Sequence, residues 1–154
     1  ILSEIEWTTI MFFIGLFMLV GGLVETGLMT TVSSSLLGAT AGHMSATTML
    51  VLWASGLLSG LLDNIPFVAT MIPLIQDMGA SLGARAIEPL WWALSLGACL
   101  GGNGTLIGAS ANVVSVGISR KNGNPISFWD FTKYGVAYTL ISLIISSVYM
   151  LLRF

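Results

Sequence analysis

Leu100 to Val114 reads LGGNGTLIGASANVV, and this stretch decides how the rest of the chain folds. It places glycines and polar residues inside a run that is otherwise apolar enough to lie in a bilayer. A glycine in a helix interior costs about 1 kcal/mol relative to alanine, so Gly101-Gly102-Asn103-Gly104 predicts a break in the helix. Unpaired backbone groups are costly in hydrocarbon, so such a break occurs only inside protein or beside a polar cavity. A broken membrane helix of this kind indicates a binding site.

The glycines of this stretch have a second interpretation, because small residues also let two membrane helices pack closely. The neighbouring side chains favour a binding site, since they bring more polar groups than close packing requires. The candidate binding residues of this stretch are therefore Gly101, Gly102, Asn103, Gly104, Thr105, Ser110 and Asn112.

The composition identifies the class of protein. Of the 154 residues, 55% are hydrophobic and 8% are charged, which is typical of an all-α integral membrane protein in a lipid bilayer. The net charge of −2 gives no reason to expect a nucleic-acid partner. The chain contains no nucleophile paired with a base, no phosphate-binding loop and no cluster of metal-ligand residues. We therefore expect neither an enzyme nor a cofactor other than a coupling ion.

Two ordinary spanning helices are predicted, at about residues 7–29 and 134–152, with a short interfacial helix from Phe128 to Lys133 before the second. Glu25 lies near the end of the first span, either as a carboxylate reaching the interface or as a member of a proton or ion path. The stretch from Thr30 to Ser45 is rich in Ser, Thr, Gly and Ala and is predicted to be a polar connection.

A re-entrant helical hairpin is predicted at about residues 46–78. Its second arm, from Pro66 to Met78, would be about 20 Å long, short of the roughly 30 Å hydrocarbon core. Asp63 and Asn64 would lie at the tip, where either can cap free N–H groups, and Pro66 suits the first turn of a helix. The alternative is a surface loop between two ordinary spans. The candidate residues of this motif are Asp63, Asn64, Ile65 and Thr70.

A discontinuous helix is predicted at about residues 87–118, with half-helices on either side of the glycines. The half-helix starting at Thr105 would point its positive end at the break, which favours an anion. The half-helix ending near Leu100 would offer carbonyl groups, which together with Asp63 favour Na⁺ or H⁺. The predicted oxygen ligands for Na⁺ are Asp63, Asn64 and Asn103.

These two motifs resemble a known family. DNIPFVATMIPLI, residues 63–75, followed by LGGNGTLIGASANVV resembles the second half of the ion transporter superfamily, in the branch with the arsenite permeases and the P protein. The resemblance implies one inverted repeat, with the first repeat of the same transporter as its missing partner, and leaves a homodimer open. It also implies that hairpin tip and helix break together hold substrate and coupling ion. The tip role falls to Asp63, Asn64 and Ile65, and the break role to Gly102, Asn103, Gly104 and Thr105.

The tip departs from the superfamily pattern in one respect. Dicarboxylate transporters of the superfamily carry Ser-Asn-Thr at the hairpin tip, whereas residues 63–65 read Asp-Asn-Ile. An ionised Asp63 would repel an anion unless a cation lies between them. This departure puts a dicarboxylate substrate in doubt.

The expected function is that of a secondary active transporter, a permease that moves a small inorganic or organic anion such as arsenite. The transport would be coupled to Na⁺ or H⁺ across the plasma (inner) membrane of a prokaryote, in a multi-pass protein. Two alternatives stay open. One is a Na⁺/H⁺ antiporter of the same superfamily, with Asp63 and Glu25 as candidate coupling groups. The other is a non-transporting membrane subunit, in which the polar residues hold helices together.

Overall fold

The computed structural model describes residues 7–40 and 42–154, apart from the side chains of residues 7–9, 12 and 13. Every regular element in this part of the chain is helical, which confirms the predicted all-α class. Seven α-helices and one short 3₁₀ segment follow one another in this part of the chain. They are α1 (Trp7–Glu25), α2 (Leu28–Ala39), α3 (Met44–Ser59), α4 (Asn64–Leu82), α5 (Glu88–Gly101), the 3₁₀ segment (Gly102–Gly104), α6 (Ser110–Lys121) and α7 (Phe128–Arg153).

Several of these helices have the length and composition of membrane spans. Helices α4 and α7 are each long and apolar enough to cross a bilayer. Ile14–Glu25 of α1 and Leu28–Ala39 qualify together as one span that is bent by 68°. The protein is therefore an all-α integral membrane protein.

The predicted polar connection from Thr30 to Ser45 is wrong, because most of it is helix α2. The predicted first span, 7–29, ends at Glu25, and the chain then turns at Gly27, whose φ of 71° suits glycine. In α2 the hydroxyls of Thr31 and Ser35 donate to carbonyl groups one turn earlier, at 3.2 and 2.8 Å. Residues that usually mark loops are thus satisfied inside a helix.

Helix α2 is hydrogen-bonded to α4 through one carboxylate. Asp77 of α4 accepts a hydrogen bond from the Thr30 hydroxyl at 3.1 Å and a second from the Ser33 hydroxyl. At its other end, α2 is linked to α3 by a hydrogen bond of 2.7 Å between the hydroxyls of Thr40 and Thr47. Both ends of α2 are therefore tied to the helices that precede and follow the predicted hairpin tip.

The second arm of the predicted hairpin is longer than predicted, so its length no longer favours a re-entrant hairpin over a surface loop between two spans. Helix α4 has 19 residues, so it is about 28 Å long rather than about 20 Å. It begins at Asn64, before Pro66, and continues to Leu82, where Gly83 with a φ of 90° ends it. An arm of this length can cross the membrane, so re-entry of the hairpin stays a prediction.

The end of the chain is one continuous helix. The predicted interfacial helix 128–133 and the predicted span 134–152 are both parts of α7, which has 26 residues and is about 39 Å long. Ser127 caps its start, because the Ser127 hydroxyl accepts a hydrogen bond of 3.1 Å from the Asp130 N–H. With this cap the helix starts directly after the polar turn, so no break separates the two predicted pieces.

The most extensive helix contact is between α3 and α5, and glycines make it. A Cβ on Gly97 would lie 2.5 Å from the carbonyl oxygen of Leu52, and a Cβ on Gly101 would meet the carbonyl oxygen of Gly56. Gly56 in α3 and Gly60 directly after it are four residues apart, like Gly97 and Gly101 in α5, which is the small-residue spacing of closely packed membrane helices. Both interpretations of the glycines are therefore needed, because Gly101 packs against α3 while Gly102–Gly104 leaves the α-helix.

The apolar core lies where α3, α4, α5 and α7 meet. The most deeply buried large side chains come from all four of these helices, and they are Leu52, Ile75, Met78, Leu90, Leu143 and Met150. By contrast, the one buried residue of α6 is Asn112. The core thus holds α3, α4 and α5 against α7 and fixes the point from which the tip and the break both extend.

Replacing Asp77 by alanine is expected to loosen α2. The exposed Thr30 hydroxyl would lose its acceptor and the buried Ser33 hydroxyl would keep only the carbonyl of Thr30, so the loss of two hydrogen bonds to a charged group costs about 1–3 kcal/mol. We expect a lower melting temperature in detergent and faster amide hydrogen exchange in Leu28–Ala39. The neighbouring Gln76→Ala is the control, because Gln76 is exposed on the same helix. Equal exchange rates in Asp77→Ala and Gln76→Ala would contradict the link between α2 and α4.

Candidate functional site

The tip between α3 and α4 has the capping geometry predicted from its sequence. Asp63 precedes α4, and its Oδ1 accepts a hydrogen bond of 3.2 Å from the Ile65 N–H. Pro66 lies in the first turn, where its missing N–H leaves no acceptor unsatisfied. The carboxylate thus lies at the positive end of α4.

The same carboxylate reaches the second half of the broken helix. Oδ2 of Asp63 accepts a hydrogen bond of 2.9 Å from the hydroxyl of Ser110, the first residue of α6. The starts of two helices therefore converge on Asp63, and each start carries about half a positive charge. The sequence predicted that the start of the second half-helix binds an anion from solution. In the structure a carboxylate of the chain itself, Asp63, lies at that helix start.

The break is longer than predicted. Helix α5 ends at Gly101, the 3₁₀ segment follows, and α6 begins at Ser110, so the prediction that the second half-helix starts at Thr105 is wrong. Thr105 is extended, with φ −135° and ψ 162°. Its hydroxyl accepts a hydrogen bond of 3.1 Å from the Gly108 N–H, and this local turn replaces the helix.

Two buried residues hold the break in this shape. The Thr105 hydroxyl donates to the carbonyl of Gly60, which joins the break to the end of α3. The Asn112 amide donates to the carbonyls of Gly102 at 2.9 Å and Thr105 at 3.0 Å. Thr105 and Asn112 therefore use their hydrogen-bond donors to hold the backbone of the site.

The last carbonyl groups of α5 are also engaged. The carbonyl of Ala98 accepts from the Ser59 hydroxyl at 2.8 Å, and the carbonyl of Leu100 accepts from the Thr139 hydroxyl at 3.1 Å. The carbonyl of Cys99 accepts from the Asn103 amide at 3.2 Å. The carbonyls of Ala98 and Leu100 also accept from the Gly102 N–H, so a cation here would have to compete with these hydrogen bonds.

Three predicted residues keep oxygen atoms that a cation or a polar solute can use. They are Asp63, whose carboxylate has further lone pairs, and the amides of Asn64 and Asn103. Among the described residues, the Asn64 side chain makes no hydrogen bond, and its Nδ2 would lie 3.6 Å from a Cβ on Gly102. Asn64 and Ile65 border a cavity of about 240 Å³, and exposed Asn103 borders another of about 570 Å³.

Two predicted residues are not brought to this site. The Thr70 hydroxyl donates to the carbonyl of Phe67 in its own helix, at 2.7 Å. Glu25 is exposed at the end of α1, beside the turn that leads to α2. Helix α2, which follows Glu25, is hydrogen-bonded to α4 at Asp77. Asp77 is 14 residues from Asp63, which is about 21 Å along the helix axis. Glu25 as a coupling group stays a prediction.

Several residues that shape the site were not among the predicted ones. Ser59 and Gly60 end α3 and contact the break, while Gly135 and Thr139 of α7 contact it from the other side. The four-residue spacing of glycines in α3 and α5 was a readable signal for their contact. Nothing in the sequence alone links α7 to the break.

The comparisons with known proteins agree with this fold and motif pair. The family model described as citrate transporter (CitMHS) matches residues 1–97. An uncharacterized transporter of Mycobacterium tuberculosis is 47% identical over 154 residues, which cover 99% of this chain and 36% of the relative. The 46 kDa membrane protein of Mycobacterium leprae is 46% identical over 154 residues, with 99% and 36% covered.

A more distant relative is the P protein of Mus musculus, 44% identical over 161 residues, which cover 99% of this chain and 19% of that protein. No solved structure matches the chain. The chain spans only 36% of the length of its mycobacterial relatives. By its family match over residues 1–97, and in agreement with the tip and break motifs, the chain belongs to the citrate transporter family of the ion transporter superfamily.

Proposed function

We propose that the full-length protein is a secondary transporter that moves a small anion across the plasma membrane of a prokaryote. Na⁺ or H⁺ is the coupling ion, and Asp63 is the group at which it binds. The observation that carries this proposal is the position of the Asp63 carboxylate between the starts of α4 and α6. A carboxylate there repels a lone anion, so the anion must bind together with a cation or after protonation of Asp63.

The proposed substrate class rests on the family description and on the motif resemblance. The family is described as citrate transporters, and the motif resemblance is to arsenite permeases. Citrate and arsenite are both oxygen-rich solutes that can accept hydrogen bonds from helix N-termini and amide groups. We propose citrate or arsenite as the first substrates to test. A part of the protein outside residues 1–154 would supply the rest of the site, as expected for one of two repeats.

One observation favours a second candidate function. Because the chain's own carboxylate already lies at the two positive helix ends, a cation at Asp63 needs no accompanying anion. The protein would then exchange Na⁺ for H⁺ through Asp63. The two functions differ in whether any ion moves when no anion is supplied.

The intact parent protein in proteoliposomes distinguishes these two functions. With a pH-sensitive dye inside and no transportable anion present, Na⁺ is added outside. Under our proposal the lumenal pH does not change with Na⁺ alone, and radiolabelled citrate or arsenite enters once it is supplied. A rise in lumenal pH on addition of Na⁺ alone would instead establish the antiporter.

Replacing Asp63 by asparagine is expected to uncouple transport. The asparagine oxygen can still accept from the Ile65 N–H, and its Nδ2 can donate to the Ser110 hydroxyl oxygen, so the tip keeps its shape, but the charge is lost. Uptake driven by a Na⁺ or pH gradient should fall by about tenfold or more, which corresponds to about 1.4 kcal/mol, while some substrate binding persists. Glu88→Gln, at an exposed acid at the start of α5, should leave uptake unchanged. Gradient-driven uptake at the normal rate in Asp63→Asn would refute the assigned role of Asp63.

Replacing Gly104 by leucine is expected to abolish transport without preventing membrane insertion. Gly104 is buried, and a Cβ there would lie 3.4 Å from the Thr139 Oγ1, so a methyl group fits, whereas the three further carbons of leucine are expected to push the break away from α7. Gly117→Leu in α6 is the matched control, because nothing lies within 4 Å of a Cβ at that position. Radiolabelled uptake and the amount of protein in the membrane are measured for each variant. Normal uptake by Gly104→Leu would exclude the break as the transport site.

A further inference from the structure

One face of α7 lies directly against the break. Gly135 and Thr139 are four residues apart and so share this face. The Thr139 hydroxyl donates to the carbonyl of Leu100 at 3.1 Å. A Cβ on Gly135 would lie 2.5 Å from the carbonyl oxygen of Asn103 and 2.8 Å from that of Gly104. The backbone of the 3₁₀ segment therefore contacts the helix where α7 has no side chain.

This contact involves the part of the break that faces open space. Asn103 and Gly135 both border the cavity of about 570 Å³, together with Asp130, Tyr134 and Tyr138. Asn103 is exposed there, and among the described residues its Oδ1 makes no hydrogen bond. The segment that α7 holds in place is thus the one whose Asn103 side chain presents a free amide oxygen, while its two backbone carbonyls lie against Gly135.

We propose that Gly135 is a positioning residue for the ion site and that Thr139 is its second anchor. Together they set the distance between α7 and the 3₁₀ segment, and with it the direction in which Asn103 presents its amide oxygen. This inference rests on the proposed transport function, which it deepens by adding α7 as a third element of the site.

The geometry determines how a side chain at position 135 would act. Real Cβ atoms essentially never lie under 3.0 Å from a neighbouring heavy atom, and the neighbours here are backbone carbonyls rather than flexible side chains. A methyl group on Gly135 must therefore move the 3₁₀ segment by roughly half an ångström or more. Binding groups must be held within about 0.5 Å of their productive geometry, so a shift of this size is expected to weaken ion binding.

The test measures how the intact parent protein in proteoliposomes responds to its coupling ion. Uptake of radiolabelled citrate or arsenite is followed against the concentration of Na⁺ and against pH. Gly135→Ala should raise the Na⁺ or H⁺ concentration for half-maximal uptake by about tenfold, the usual loss when a group that orients a cation ligand is disturbed. Gly117→Ala should leave it unchanged, because that helical glycine has open space around it. An unchanged half-maximal concentration in Gly135→Ala would overturn the inference.

A second pair of variants separates positioning from stability. Thr139→Val keeps the side-chain volume but removes the hydroxyl that donates to Leu100, and it should raise the half-maximal cation concentration severalfold. Ser147→Ala, whose hydroxyl joins Trp53 and the carbonyl of Leu143, should lower the melting temperature without moving that concentration. If Gly135→Ala does not fold, the half-maximal cation concentration of Thr139→Val tests the inference in its place. A lower melting temperature with unchanged cation response in Thr139→Val would assign a structural role and overturn the inference.

The test also separates this inference from the function on which it rests. If the unmutated protein takes up neither substrate under a Na⁺ gradient or a pH gradient, the proposed function fails. If the unmutated protein responds and both α7 variants respond identically, only the positioning role of Gly135 and Thr139 fails.

Discussion

The close crossing of α3 and α5 is the constraint on which the site depends. Backbone touches backbone where Gly56 and Gly60 face Gly97 and Gly101, so neither helix can slide without a steric clash. The tip begins directly after Gly60, and the break begins directly after Gly101. In a bilayer no hydrophobic effect drives two apolar helices together, so this contact rests on packing and on the hydrogen bonds around it. The crossing therefore sets the spacing between two polar loops that must lie side by side.

Those polar loops are held mainly by the chain's own hydrogen bonds. Hydroxyls and amides from four different segments satisfy the carbonyls that a helix break leaves free, as Ser59, Asn103, Asn112 and Thr139 illustrate. The same groups are costly to leave unpaired in hydrocarbon, which explains why a transporter needs so many of them near one break. Against this background, Asp63 is unusual because it places a full charge where the others place only dipoles.

The elements that could be predicted are those with local signals. The glycine run around Asn103 predicts the break, and Asp63 before Pro66 predicts a capped helix start, because both depend on backbone chemistry within one turn. The bounds were less predictable. Thr105 was expected to start a helix, but its side chain closes a turn instead. The residues of α2 were expected to form a loop, because Ser and Thr favour loops unless a partner such as Asp77 is present. The contact of Gly135 with the break joins residues about 30 positions apart, and no local pattern records such a pairing.

The length of α7 has an electrical consequence. A helix of about 39 Å centred in a hydrocarbon core of about 30 Å extends beyond it at both ends. Gly135 lies seven residues, or about 10 Å, from the start of this helix, so in this centred position the break beside it would lie nearer to one surface than to the other. Most of the transmembrane voltage would then fall on the far side of the site, at about 2.3 kcal/mol per charge for each 100 mV. An ion that enters from the near surface would cross little of the field, and the voltage would act chiefly on the movement that exposes it to the other side.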